Sequence, residues 1–353
     1  MINTHDFKRL KAISETPGTS GFEGEIRQLI HKEIAQYADE VKIDNLGNLI
    51  VFRKGKSSAK KVMIAAHMDE IGFVVSHIDD KGFVRFQPVG GFDPKTLTAQ
   101  RVVIHGKKDI TGVMGSKPVH IMKAEERKKS VEIDDFFIDT GYSAEELKGL
   151  IEPGNAITRE RELIEMGNCF NGKSLDNRIS VYILEQTIKM LQKEIPAFDT
   201  YAVFTVQEEV GLRGAHVATQ TIEPDIAIGL DTTIAFDTPG AQPHEEVSRL
   251  GKGTAIKIMD ASVISDLRMV AFLKEIANAN NITWQTEMLP GGGTDTGSIQ
   301  RMVKGGAIAG AISIPTRHIH QVIESVHQQD VLDSINLLYY SILGMDRLDL
   351  INR

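Results

Sequence analysis

The chain has 353 residues, 41% of them hydrophobic and 25% charged, which is enough to bury a large core and ordinary for a globular protein of about two domains. A net charge of −8 argues against a nucleic-acid partner, which needs a basic face; the one dense basic cluster, residues 123–129, is interrupted by Glu125 and Glu126. A single cysteine, Cys169, excludes an internal disulfide and a cysteine-built zinc cage.

The first residues carry no basic patch followed by an apolar core, so no signal peptide is expected. No apolar run approaches the ~20 residues that span a bilayer. A soluble, cytoplasmic protein with no membrane partner is the expectation.

Apolar spacing predicts amphipathic helices over 7–13 and 26–37, the second through Ile26, Leu29, Ile30 and Ile34. Pro17-Gly18-Thr19-Ser20-Gly21 separates them, with Ser20 in the N-cap region of the second. Residues 41–52 read as a hairpin turning through Asn45-Leu46-Gly47-Asn48. A buried strand over 61–66 then delivers His67 and Asp69 at its end.

From 71 to about 168 the texture changes. Short β-like runs at 72–78, 82–89, 101–105, 109–114, 136–139 and 155–159 alternate with glycine-containing turns, and one helical candidate, 143–150, interrupts them. This pattern predicts a small all-β barrel or sandwich. After Asp176 helices and strands alternate: helices at 179–192, 214–221, 267–278, 295–302 and 331–343, strands at 201–206, 225–230, 254–259, 282–287 and 307–314. Such alternation predicts an α/β fold, a mixed and mainly parallel sheet sandwiched by helices. The interval from His67 to Asp176 is several times a βαβ step of ~30 residues. We therefore expect residues 1–70 and 169–353 to form one α/β domain, with 71–168 inserted into it as the barrel.

The chemistry gathers where strands end. A run of β-formers from Tyr201 stops at two adjacent carboxylates, Glu208 and Glu209, whose mutual repulsion calls for a compensating cation. Taken alone, such a pair is more often a solvated loop. His67 and Asp69 are two residues apart, so on an extended backbone they share a side, and Asp69 is placed to hold the imidazole. Asp176 and Asp231 are hard oxygen donors beside apolar runs, although N-capping is a serious competitor for Asp176. His318 and His320 follow the strand at 307–314, and one of them as a ligand is plausible. Strand carboxyl ends are where ligands of α/β sheets gather. Imidazoles and carboxylates without thiolate suit zinc, cobalt or manganese. Five such donors with a bridging carboxylate describe a two-metal hydrolytic centre, its ions ~3.5–4 Å apart.

The chain resembles the TET-type di-metal aminopeptidases, a family that includes glutamyl and deblocking aminopeptidases and some members labelled endoglucanase. The resemblance runs along essentially the whole chain. It rests on Ala66-His67-Met68-Asp69-Glu70-Ile71-Gly72-Phe73, Gly112-Val113-Met114-Gly115-Ser116-Lys117-Pro118, Leu175-Asp176-Asn177-Arg178, Val206-Gln207-Glu208-Glu209-Val210-Gly211-Leu212-Arg213-Gly214-Ala215 and Gly291-Gly292-Gly293-Thr294-Asp295. It implies that Asp176 bridges two ions, that His67 and Asp231 complete one site, and that Glu209 and His320 complete the other. It further implies Glu208 as general base and Asp69 as the residue that orients His67. The cofactors implied are two divalent ions per subunit, zinc or cobalt first and manganese next. The partners implied are short peptides, cleaved at the N-terminal residue, and other copies of the chain, paired through the barrel into dimers and a tetrahedral dodecamer. Where the family usually has tyrosine this chain has His318, and the family register selects His320 as the ligand.

The insert contains none of these ligands, so we expect it to drive assembly and to be dispensable for them. Three rival readings are a deacylase or carboxypeptidase, with Arg213 or Arg317 holding a substrate carboxylate, a glucanase, and a non-enzymatic assembly module. One tryptophan, Trp284, and 6% aromatic residues leave little for a sugar platform.

Overall fold

The computed structural model describes residues 3–351; residues 1, 2, 352 and 353, at the ends of the expected catalytic domain, lie outside them. The chain opens with helices α1 (Thr4–Glu15) and α2 (Gly24–Ile34) and strands β1 (Glu40–Ile43), β2 (Leu49–Arg53) and β3 (Ser57–His67). Next come β4 (Gly72–Ile78), β5 (Val84–Val89), β6 (Arg101–His105), β7 (Asp109–Ser116), β8 (Phe136–Asp139), the single-turn α3 (Ala144–Leu147) and β9 (Ala156–Arg159). The third stretch holds β10 (Ile164–Met166), β11 (Cys169–Gly172), α4 (Leu175–Met190), β12 (Phe198–Thr205), α5 (Arg213–Ile222) and β13 (Ile226–Ile234). It continues through β14 (Thr254–Met259), α6 (Leu267–Ala279), β15 (Trp284–Met288), α7 (Asp295–Arg301), β16 (Ile308–Arg317), β17 (Glu324–His327) and α8 (Gln328–Leu343).

Among the described residues β4 to β9 close into a six-stranded barrel, and the other eleven strands form one mixed sheet. The α/β sheet with a small β-barrel is thus the architecture the sequence predicts. The central strands β12, β3, β13 and β16 run parallel, while the flanks through β2 and β17 are antiparallel. Burial on both faces explains this order. β3 and β13 are buried at almost every position toward their ends, so neither strand tolerates an edge.

Side-chain size alternates across these strands. Val62, Ile64 and Ala66 of β3, with Ile226, Ile228 and Leu230 of β13, pack on the face covered by α1, α2, α4, α6 and α8. The opposite face is lined by Met63, Ala65, Ala227 and Ala309, on which α5 and α7 rest through Ala215, Ala218, Ile222 and Ile299. Small residues there let these two helices approach closely. Register completes the arrangement: Thr205 pairs with His67, and Leu230 pairs with Ala66, so the ends of β12, β3 and β13 lie side by side.

Some element edges differ from the sequence reading. The expected insert runs to residue 168, yet the barrel strands end at Arg159, and β10 joins the large sheet by pairing with β11. Gly167, with φ of 61°, turns that short hairpin. The helix expected at 143–150 keeps one turn: Ser143 and Glu146 cap its start, and Gly149, φ 74°, follows its end. β17 carries no expectation from sequence, because four residues give no usable periodicity.

Gly229, on the small-residue face of β13, has no room for a methyl group. A Cβ built there would lie 1.9 Å from Thr296 Oγ1 of α7 and 3.2 Å from Thr296 Cβ. We expect Gly229→Ala to lower unfolding free energy by ~1–3 kcal/mol, as overpacking does. Gly24→Ala, with open space at its Cβ, should be neutral or stabilising. Denaturant midpoints of the two variants check this; equal midpoints would refute the close approach of α7.

Candidate metal centre

Strands β3 and β13, the loops after β3, β12 and β16 and the start of α4 bring seven polar side chains together, and six of them, all but Asp69, line one cavity. His67 closes β3 and is almost fully buried. Its Nδ1 lies 3.2 Å from the carbonyl oxygen of Asp69 and 3.5 Å from Asp69 Oδ1. That leaves Nε2 to face three carboxylates: Asp176 Oδ1 at 3.4 Å, Asp231 Oδ1 at 3.6 Å and Glu208 Oε2 at 3.8 Å. Asp176 turns its second oxygen elsewhere, with Oδ2 3.4 Å from His320 Nε2. His320 Nε2 also lies 3.3 Å from Glu209 Oε2. Asp176 therefore stands between two imidazoles, one oxygen to each.

Asp69 does more than face the His67 ring. Its carboxylate accepts the Ser20 hydroxyl at 2.6 Å and the backbone N–H groups of Glu208 and Glu209 at 3.0 and 3.2 Å. Ser20 is thus a partner of Asp69; the N-cap of α2 is Glu23. Nor does Asp176 cap a helix by its side chain: its own N–H donates to Glu324 Oε2 at 2.9 Å, and the next residue, Asn177, donates through Nδ2 to the Leu230 carbonyl at 2.8 Å. The Asp176–Asn177 peptide bond is cis. His318 and His320 do not share a face. They lie in a turn beyond β16 where His318 is exposed and only His320 reaches the carboxylates.

The electrostatics of this cluster are unbalanced. Burial first, then neighbouring carboxylates, pushes Glu208 well above the usual carboxylate range, and burial likewise raises Glu209. Asp231 rises to about 6 by burial, against the pull of His67. Asp176 is lowered, because two imidazoles outweigh its burial, and Asp69 is lowered by His67 and its hydrogen bonds against the same cost. Burial works against His320, yet Asp176 and Glu209 push its imidazole up to about 11. Two histidines thus cannot neutralise the acids around them, and Glu209 Oε1 is buried without a hydrogen-bond partner.

These donors fit divalent cations. Zinc–nitrogen and zinc–oxygen bonds of ~2.0–2.2 Å in a tetrahedron put ligand atoms about 3.3–3.6 Å apart, close to the separations seen at both histidines. Two overlapping donor sets each fall within 4.8 Å: His67 with Glu208 and Asp231, and His67 with Asp176 and Glu209. The absence of thiolate favours zinc, cobalt or manganese over softer ions.

Sequence reasoning assigned no role to several groups that matter here. Glu324 is buried and bonds the N–H groups of both Asp176 and His320. Asp295, at the start of α7, accepts from the Thr205 hydroxyl, while its Oδ1 is buried and unpartnered; burial raises it to about 7. Asp295 was legible as the end of a glycine-rich motif, but nothing around Glu324 in the sequence marks it. A cavity of about 800 Å³ opens over the cluster, walled by Phe92, Leu289 and the Gly291–Gly293 turn.

Residues 47–337 match the family described as M42 glutamyl aminopeptidase. The chain is 37% identical over 344 residues to the lysyl aminopeptidase of Pyrococcus furiosus, covering 94% of this chain and 95% of that one. A TET aminopeptidase from a marine-sediment archaeon of the Thaumarchaeota shares its structure with a TM-score of 0.93 at 36% identity, over 98% of this chain and 97% of that one. The TET1 peptidase of Pyrococcus horikoshii, which can assemble into a tetrahedron or a large octahedral shell, is similar with a TM-score of 0.86 at 31% identity, over 96% of this chain and 99% of that one.

Geometry separates the two histidines experimentally. A cation bound to the native state raises stability by RT ln(1 + [L]/Kd), ~2.7 kcal/mol at a hundredfold excess over Kd. We expect Co²⁺ to raise the melting temperature of wild type and of His318→Ala alike, and His320→Ala to lose a clear part of that shift. The reverse pattern in thermal unfolding would assign the wrong imidazole.

Proposed function

The chain belongs to the M42 glutamyl aminopeptidase family, and on that premise we propose that it removes the N-terminal residue of short peptides at a centre of two divalent ions. The observation that carries this reading is Asp176, with one oxygen toward His67 and the other toward His320 amid carboxylates short of positive charge. In this reading Asp176 is shared, His67 and Asp231 hold one ion, and Glu209 and His320 hold the other. Zinc or cobalt suits the donors best, with manganese third. When bound, such ions supply Lewis acidity and lower the pKa of water from 15.7 toward ~7.

The remaining chemistry belongs to the side chains. Glu208 is the general base: its carboxylate takes a proton from the attacking water and returns it to the departing amine nitrogen. Glu208 is buried at the wall of the cavity, with Oε2 3.8 Å from His67 Nε2, so it stands beside the proposed ion site. Asp69 fixes the His67 ring and, through two backbone N–H groups, the relative placement of base and ligand in the Glu208–Glu209 pair.

A deacylase or carboxypeptidase would need a cation for the substrate carboxylate. Arg317 is engaged by Asp237 at 2.7 and 2.8 Å, Arg213 bonds Gln207, and neither lines the cavity. Lys257 does line it but is held between Glu287 and Asp260. Trp284 bonds Asn278 away from the cavity, which disfavours a sugar platform.

Assembly is part of the proposal. The barrel of β4 to β9 acts as the pairing domain, and dimers build a tetrahedral dodecamer; the similar TET1 peptidase of Pyrococcus horikoshii can assemble into a tetrahedron or a large octahedral shell. No helix among the described residues is long and apolar enough to cross a membrane, and the reading puts the enzyme in the cytoplasm.

Three measurements test these statements. Free-amine aminoacyl substrates should be hydrolysed and N-acylated amino acids left intact. Glu208→Gln should lower kcat by about 10²–10⁴-fold with bound metal retained, whereas Glu209→Gln should lose an ion. Loss of metal in Glu208→Gln alone would exchange the two roles. For assembly, light scattering at micromolar concentration should give a mass well above that of a dimer; a monomer would sink that part.

A further inference from the structure

The turn that carries His320 takes its shape from groups outside it. His318 and His320 have φ of 62° and 65°, a conformation that residues other than glycine keep only where neighbours enforce it. At His320 two bonds do so. Its N–H donates to Glu324 Oε1 at 2.9 Å, and its carbonyl accepts from Arg159 Nη1 at 2.8 Å. Glu324 spends its other oxygen on the N–H of Asp176, also at 2.9 Å. One carboxylate therefore ties the backbones of the two residues whose side chains face each other.

Arg159 comes from the barrel. It is the last residue of β9 and only 3% exposed. Burying a guanidinium is costly unless its charge and donors are used. Here Glu324, Glu70, Glu209 and Asp176 surround the charge with attraction, and Nη1 bonds the His320 carbonyl while Nε has no partner. Its guanidinium carbon lies 5.4 Å from the centroid of the Phe92 ring. Phe92 in turn stacks on Phe73 at 4.4 Å and 22°, and Phe73 belongs to the barrel core. A continuous line of contact thus runs from the barrel interior through Phe92 and Arg159 to the His320 carbonyl.

We propose that Arg159 is a positioning residue of the metal centre: from the barrel it holds the His320 carbonyl and, with Glu324 on the opposite side, sets the imidazole against Asp176 and Glu209. The inference rests on the two-ion reading above. It gives the barrel a part in the active centre as well as in pairing.

The test counts cobalt on the full-length protein, equilibrated at graded free Co²⁺. Wild type should take up two ions per chain. Arg159→Met should weaken one of them by about 10–100-fold, the usual effect of losing a group that orients a ligand, and leave the other at its wild-type concentration. Arg159→Lys, which keeps one donor for the carbonyl, should recover part of the loss. An unchanged curve, equal weakening of both ions, or lysine binding no better than methionine overturns the inference. If wild type itself takes up fewer than two ions, the two-ion reading fails and the role of Arg159 falls with it. Should Arg159→Met not fold, Phe92→Leu, which removes only the ring beneath the guanidinium, is read by the same criteria.

Discussion

Five carboxylates and two imidazoles gather on β3 and β13, in the loops after β3, β12 and β16 and at the start of α4, and the sum of their charges is what the surrounding structure has to manage. Asp176 is relieved by two histidines, whereas Glu208, Glu209 and Asp231 remain short of positive charge and are raised by burial. Buried anions without partners are expensive. A protein keeps such a cluster only if something of opposite sign resides there, and the separations between donor atoms suit small divalent ions. The proposed metal dependence thus has an electrostatic ground in the fold as well as a chemical one.

Holding repelling groups in place needs a stiff frame. Parallel pairing of β12, β3 and β13 fixes Thr205 beside His67 and Leu230 beside Ala66, which places His67, Asp231 and the root of the Glu208–Glu209 loop side by side. Small side chains on one sheet face let α7 sit close enough for Asp295 to meet Thr205. Loops supply the rest, and each is tied down from both sides. Asp69 grips the amides of Glu208 and Glu209, and Glu324 grips those of Asp176 and His320. Two buried acids outside the proposed ligand set thereby fix the backbones of Asp176, Glu208, Glu209 and His320.

The barrel changes character in this light. By sequence it is an interruption without ligands, and an insert of that kind is expected to be dispensable for the site. In three dimensions its last strand delivers Arg159 to the His320 carbonyl, and its Gly91-Phe92-Asp93 turn lines the cavity. Proposed pairing through the barrel and proposed chemistry in the sheet are then mechanically connected, since the barrel's Arg159 holds the backbone of the proposed ligand His320.

Local sequence determined a great deal. Periodicity placed nearly every long helix and strand, because burial on one face or both writes a 3.6- or 2-residue pattern into the chain. The break in α/β alternation after His67 exposed the barrel, and acids and histidines at strand ends pointed to His67, Asp69, Asp176, Glu208, Glu209, Asp231 and the pair His318 and His320. Other features were decided only by tertiary structure. Ser20 reads as a helix cap and proves to be the partner of Asp69; Glu324 and Arg159 lie in unremarkable stretches. The family resemblance selects His320 over His318, but the turn that aims it is held by Glu324, four residues on, and by Arg159 from the barrel. The physical reason is common to all of these: a side chain's own periodic neighbours fix whether it is buried, but what it meets once buried depends on register and loop closure between distant segments, and no local pattern encodes that.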